Sequence, residues 1–367
     1  MCNKSKKFNG LEGLRLFAFL NIFWLHIGTF RVTNYYQSAA WGVSFFFTLS
    51  GFLYGYKYSD TVLNFRDTGL FILNKLKKFW PLHFFSTILM FGYSGMFVRA
   101  FDDPKFKTFL HRLVLNLLLV QSWSHDSYTY YSFTGVAWYL SDLFFLIVIT
   151  VPLIIIVNKI FKTKRSIIVG IVVDVILALV YFGGIKKTNL NPSYYLYIFP
   201  PSRLFEYCGG ILTGRLAYVM SSAPNKLKIS NTKCKTIPRK ISFTLLEVCL
   251  LITLIMSFKY IESFPLIWHS TAWIIPNIFL ILIFSLEYGL FSSYIFGNKV
   301  MVRLGSDTFD AFLMHQVVNI YFSNAMGAVS GMSFKTKLMG QIYILLVVFT
   351  FAEIRRASKG TKICEHT

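Results

Sequence analysis

Charge is scarce in this chain, and acidic charge is scarcest. Of 367 residues only 16 are Asp or Glu against 37 Lys or Arg, and charged residues make up 14% of the sequence. A soluble domain carries about 25%, so a fold surrounded by water is a poor fit and a polytopic membrane protein a good one. The 55% hydrophobic content and the mean hydropathy of +0.55 agree. Cysteine is also sparse. Cys2, Cys208, Cys234, Cys249 and Cys364 show neither a CxxC pair nor metal-ligand spacing, which argues against a disulfide scaffold or a zinc site and predicts free thiols. The histidines His83, His111, His125, His269 and His366 show no ligand spacing either. No internal repeat of the transporter kind is visible, and the longest loop, 221–240, is too short to fold alone.

The net charge of +21 invites a nucleic-acid partner, but the basic residues cluster in short segments between apolar stretches. That placement fits the positive-inside rule and contact with anionic lipids, not nucleic acid. Apolar stretches long enough to cross a ~30 Å hydrocarbon core fall near 11–30, 40–58, 79–98, 136–158, 166–182, 203–220, 241–258, 267–286, 307–325 and 337–354. An eleventh, 109–122, is shorter and opens with His111 and Arg112. Basic clusters lie at the N-terminus, 57–78, 159–165, 221–240, Lys299/Arg303 and after Arg355. All become cytoplasmic only if 109–122 does not cross. The prediction is an all-α membrane protein of about ten transmembrane helices plus one short or re-entrant helix, both termini cytoplasmic. It divides into a tail (1–10), a membrane domain (11–354) and a second tail (355–367). Residues 99–107 carry both signs of charge and decide little.

The first apolar stretch contains Arg15 and His26. Eleven residues of helix advance about 16 Å and return to within about 20° of the starting face, so both side chains project the same way at different depths. A charge in hydrocarbon costs about 2.5 kcal/mol or more, so such residues face a cavity or a partner and mark function. Neutral imidazole can accept a proton from a hydroxyl near neutral pH and return it to a leaving thiolate. Arg203 and Glu206 are three apart and can pair on one helix face. His315 lies within an apolar stretch, where a polar group needs a partner, whereas Asp310, five residues earlier, lies on another face. Asp174 is isolated among apolar residues and gets no role.

Further blocks follow in order. Gly42-Val43-Ser44-Phe45-Phe46-Phe47-Thr48-Leu49-Ser50-Gly51-Phe52 precedes Lys75-Leu76-Lys77-Lys78-Phe79-Trp80-Pro81, then Trp138-Tyr139-Leu140-Ser141. After these come Arg203-Leu204-Phe205-Glu206-Tyr207 with Gly209, Gly210 and Gly214, and Thr308-Phe309-Asp310-Ala311-Phe312-Leu313-Met314-His315. With Arg15…His26 these resemble the signature blocks of the acyltransferase type three family, integral membrane O-acyltransferases of cell-surface polysaccharides. Lys replaces Arg at both basic positions of the 75–81 block, and Leu143 stands where many members have Glu, with Asp142 one residue earlier. That residue is rotated ~100° round a helix.

The resemblance implies transfer of an acyl group, most often acetyl, from cytoplasmic acyl-CoA to a hydroxyl of a cell-surface or exported carbohydrate, in a bacterial cytoplasmic membrane. Acetyl-CoA is then a donor substrate, with no tightly bound cofactor. It makes His26 catalytic, as base or acyl carrier, with Arg15 beside it on the donor's phosphates. Lys75 and Lys78 serve there as point charges, since Arg suits oxyanions by multidentate geometry and Lys by charge alone. Ser50, Trp138, Ser141, Arg203, Glu206 and His315 fall to the acceptor or the cavity, Ser50-Gly51 also permitting close helix contact. Some members carry an additional extracytoplasmic hydrolase-like domain. This sequence ends soon after its last apolar stretch, so the expectation is that it completes transfer alone or hands the group to a separate extracytoplasmic transferase. A transporter or flippase for a lipid-linked sugar is the alternative.

Overall fold

A computed structural model describes residues 7–31, 39–91, 105–222, 236–260, 271–327 and 332–364. Cys2, Cys234, Arg99, Asp102, Asp103, His269, His366 and most of the basic loop 221–240 lie outside the described residues. Within them the chain is helical throughout, and no strand occurs among them. The helices are α1 (Asn9–His26), α2 (Ala39–Lys57), α3 (Asp67–Phe91), α4 (Lys105–Leu117), α5 (Ser127–Tyr130) and α6 (Trp138–Ile160). They continue as α7 (Lys164–Lys186), α8 (Leu204–Ser222), α9 (Thr236–Tyr260), α10 (Thr271–Leu286), α11 (Lys299–Ala325) and α12 (Phe334–Cys364). Among the described residues, Trp138–Ile160, Lys164–Lys186, Ile237–Lys259 and Phe334–Ser358 are long and apolar enough to cross a membrane. Cys208 and Cys249 are free thiols.

The segment predicted to be short forms α4 and stops early. It exposes Phe106, Leu110, Val114 and Leu118, a stripe at four-residue spacing that presents one apolar face. Its last carbonyls have no partner within the helix; Trp80 Nε1 donates to Leu117 O at 3.0 Å, and His83 Nε2 lies 3.0 Å from Asn116 O. Leu119 then takes a positive φ of 59° and turns the chain away. The basic junction at 159–165 ends where Thr163 and Ser166 form a reciprocal capping box at the start of α7, satisfying two backbone N–H groups that the helix itself leaves open.

Two helices meet backbone to backbone. On α2, a methyl group at Gly51 would lie 2.1 Å from the Tyr207 carbonyl oxygen of α8, and one at Gly55 2.1 Å from that of Ile211. On α8, Gly210 faces the Thr48 carbonyl and Gly214 that of Phe52 at 2.1 and 2.2 Å. Only glycine allows this approach, the small-residue packing expected of helices that associate without help from water. The side-chain amide of Asn277 on α10 ties in as well, accepting from Trp41 Nε1 at 2.8 Å and donating to Ser44 Oγ at 3.0 Å.

Helix α1 lies between two apolar clusters. Phe19, Ile22 and Phe23 enter one with Phe47, Tyr139 and Phe312, while Leu11, Leu14 and Ala18 enter the other with Trp41, Phe45 and Phe284. Its start is closed from outside, by the Gly10 N–H donating to Glu287 Oε1 at 3.1 Å, a carboxylate at the positive end of the helix dipole. Its end is closed by Asn319 of α11, whose Nδ2 donates to the His26 carbonyl at 2.7 Å. Both ends of α1 are therefore fixed, and His26 inherits a defined position.

Candidate active site

A cavity of about 490 Å³ opens beside the last turn of α1. His26 lines it with Ile22 from the same helix, Val43 from α2, Tyr131 and Val136 from the segment before α6, Trp138 and Tyr139 from α6, Tyr197, and Phe312 and Gln316 from α11. Four aromatic side chains with hydroxyl or indole groups thus surround one imidazole. Such faces suit the C–H surfaces of a sugar ring and their polar tips suit its hydroxyls.

The hydrogen bonds around His26 determine what it offers. Its Nδ1 lies 2.9 Å from the Ile22 carbonyl oxygen. A carbonyl only accepts, so Nδ1 carries the proton and Nε2 of the neutral ring keeps its lone pair. His315 is fully buried behind it, packed by Phe19, Phe23 and Phe312. His315 Nδ1 lies 2.6 Å from Phe312 O, and its Nε2 lies 3.3 Å from His26 Nδ1.

Arg203 and Glu206 pair at 3.2 Å with neither side chain exposed. Arg203 also donates from Nε and Nη2 to Tyr197 O, at 2.9 and 2.5 Å, within a one-turn π-helix, Tyr194–Ile198. Its guanidinium lies over the rings of Tyr197, Phe47 and Trp138 at 4.5, 5.5 and 5.8 Å. The pair is not among the residues facing the cavity; it stands behind Trp138 and Tyr197 and fixes them.

Several sequence expectations change here. Ser141 is not a cavity residue: it is fully buried and its hydroxyl lies 2.6 Å from Ser122 Oγ, because the first turn of α6 uses it to hold the 121–123 turn. Ser122 Oγ in turn reaches Asp142 Oδ1 at 2.6 Å. His315 supports His26 instead of lining the cavity. Ser50 donates to Phe46 O at 2.8 Å in its own helix and meets the Tyr139 hydroxyl across helices, without facing the cavity. Arg15 shares the helix but does not line the cavity; it pairs with Glu12 at 2.9 Å and lies within electrostatic reach of Tyr139. Asp310 is engaged by Arg355.

Lys75 and Lys78 lie in the N-terminal half of α3 and do not line the cavity with His26. The Lys75 ammonium rests over the rings of Tyr54 and Phe71 at 4.6 and 5.2 Å, with no carboxylate within pairing distance among the described residues. Burial, then the neighbouring charges of Lys78 and Lys57, push it down to about 8. The sequence analysis assigned no role to four further polar residues that line the cavity, Tyr131, Tyr139, Tyr197 and Gln316; Gln316 Oε1 accepts from the Val136 N–H at 3.1 Å. The signal was present: a tyrosine-rich run at 128–139 and a polar residue directly after His315.

No curated protein and no solved structure matches this chain. A family model described as an acyltransferase domain matches residues 8–352, a span that takes in α1, the cavity and every candidate site residue of the sequence analysis. With an imidazole facing a cavity in an all-helical membrane fold, that match leaves one conclusion: the chain belongs to this family of membrane acyltransferases.

Proposed function

We propose that the protein moves an acyl group, in the first instance acetyl, from acyl-CoA to a hydroxyl of a cell-surface or exported carbohydrate. The observation that carries this is His26: its Nδ1–H is held by Ile22 O, and the remaining nitrogen is the basic one in an aromatic-walled cavity. Nε2 takes the proton of an acceptor hydroxyl, the oxygen attacks the thioester carbonyl, and the carbon–sulfur bond breaks as the ester forms. The same proton then returns from Nε2 to the thiolate. Positioning and general base catalysis together account for the rate.

The donor end is read from Arg15, Lys75 and Lys78. Phosphates bound at the depth of Arg15 lie about 16 Å along α1 from His26, so the donor needs a long flexible arm between its charged head and its acyl carbon, as in CoA. Tyr139 stands between the two regions, facing the cavity while in electrostatic reach of Arg15 and Tyr54. The ten-span topology with cytoplasmic termini belongs to this proposal, since it puts Lys75 on the side where acyl-CoA is found. Trp138, Tyr131 and Tyr197 receive the sugar.

Membranes containing the protein are incubated with acyl-labelled CoA and the carbohydrate fraction is analysed. His26→Ala abolishes transfer without loss of membrane insertion, and Arg15→Ala raises the KM for the donor. Undiminished transfer by the His26 variant refutes the assignment. Sugar export that needs no acyl-CoA identifies a transporter instead.

A further inference from the structure

We infer that His315 is a positioning residue for His26, fixing which nitrogen of the catalytic ring is the base. This rests on the proposed acyl transfer for its consequence but not for its geometry. His315 Nδ1 lies 2.6 Å from Phe312 O, an acceptor only, so Nδ1 carries the proton and Nε2 holds a lone pair. That lone pair is directed at His26 Nδ1, 3.3 Å away. His26 Nδ1 therefore sees two acceptors, Ile22 O at 2.9 Å and His315 Nε2. Both are satisfied by one shared proton on Nδ1. In the other tautomer, His26 Nδ1 sets its own lone pair against a carbonyl oxygen and a second ring's lone pair at once.

The surroundings enforce the arrangement. His315 is completely buried, so no water can replace His26 as a donor to it, and a buried acceptor left without a donor is costly. Phe19 meets the His315 ring edge to face at 5.8 Å, and Phe312 lies at 5.7 Å, holding the ring against rotation. Asn319, one turn further along α11, donates to the His26 carbonyl, so a single helix face sets both the backbone and the ring of the catalytic residue. In the reaction His26 becomes an imidazolium, and its Nδ1–H then donates to an uncharged nitrogen and a carbonyl. The role is that of the buried acceptor behind the histidine of a hydrolase triad, filled here by a neutral ring.

Two measurements test this. The first is nitrogen NMR of protein with ¹⁵N-labelled histidine in lipid nanodiscs, which reads the tautomer without any turnover. Wild-type His26 is expected as a single Nδ1–H form, and His315→Leu, in which Ile22 O alone still holds that proton, as an Nδ1–H form with a measurable Nε2–H fraction; a wild-type Nε2–H form, or a variant with no Nε2–H fraction, overturns the inference. The second is acyl transfer. His315→Leu lowers kcat roughly 100-fold, within the range that general base catalysis supplies, with an unchanged KM for acyl-CoA. His315→Gln, whose side-chain oxygen can accept from Nδ1–H, recovers most of the loss. Equal kcat for wild type and His315→Leu refutes the role of His315. A wild type that transfers no acyl group refutes the proposed function instead, and the NMR measurement still decides the tautomer.

Discussion

Replacing Arg203 with Leu removes the positive member of an ion pair that has no solvent contact. The Glu206 carboxylate then stays buried without its counter-charge, with Ser44 still hydrogen-bonded to it, and removing one partner of such a pair costs about 3–5 kcal/mol. Tyr197 O loses two donors, adding about 1–3 kcal/mol for an unsatisfied buried group. A second carboxylate worsens the case. Asp142 is also fully buried and lies within electrostatic reach of both Arg203 and Glu206, so Arg203 offsets two acids. The converse substitution, Glu206→Leu, leaves Arg203 with Asp142, Tyr197 O and three aromatic faces. An asymmetry follows: Arg203→Leu is the most destabilised, Glu206→Leu is milder, and the double variant recovers about 2 kcal/mol or more over Arg203→Leu because no unpaired Glu206 remains. Thermal unfolding in nanodiscs of fixed lipid composition gives the order. If Glu206→Leu proves as unstable as Arg203→Leu, or the double variant proves worse than either, the guanidinium is not the common counter-charge and the reasoning fails.

The Lys75 ammonium loses its proton as pH rises through about 8, so the KM for acyl-CoA should climb between pH 7 and pH 9. Lys75→Arg, charged throughout, should flatten that rise; a pH-independent KM in the wild type removes Lys75 from the donor site. Gly51→Ala places a methyl 2.1 Å from the Tyr207 carbonyl and should force α2 and α8 apart, at about 1–3 kcal/mol for overpacking, seen as a lower unfolding temperature. Ser141→Ala should reduce stability, by about 1 kcal/mol for one hydrogen bond, while leaving the acceptor KM unchanged, whereas Trp138→Ala should raise that KM. The reverse pattern in steady-state kinetics restores Ser141 to the cavity.

The helices were legible because each apolar stretch is long and bounded by basic or turn residues, and the family was legible because its blocks occur in order. The face each residue occupies was less so. Arg15 and His26 were placed on one side of α1 by helical geometry alone. Yet a shared face does not make a shared cavity: His26 lines it with Tyr139 from another helix, and Arg15 does not line it. Ser141 was read with Trp138 as one motif, but three residues along α6 its hydroxyl meets Ser122, a partner nineteen residues earlier that no local spacing announces. His315 showed the same limit. Its need for a partner could be derived from its apolar setting, but the partner, 289 positions away, depends on how α11 crosses α1.

The depth relation between Arg15 and His26 gains meaning from what separates them. On the proposed reaction the base must be kept from water, which competes with the acceptor hydroxyl for the acyl group, and the packing of Phe19, Phe23 and Phe312 around the fully buried His315 closes one side of His26. Tyr139 lines the cavity and lies within electrostatic reach of Arg15 and of Tyr54, the ring beneath the Lys75 ammonium. On the proposed reaction, a charged donor head is held by cations at one level while only its uncharged arm and acyl group pass to the next. Burying the phosphates themselves near His26 would require their counter-charges there too, at the several-kcal/mol cost of desolvating each ion. Placing the guanidinium and the imidazole eleven residues apart on one helix, with an aromatic side chain from a neighbouring helix at the crossing, avoids that cost and fixes the distance the donor must span.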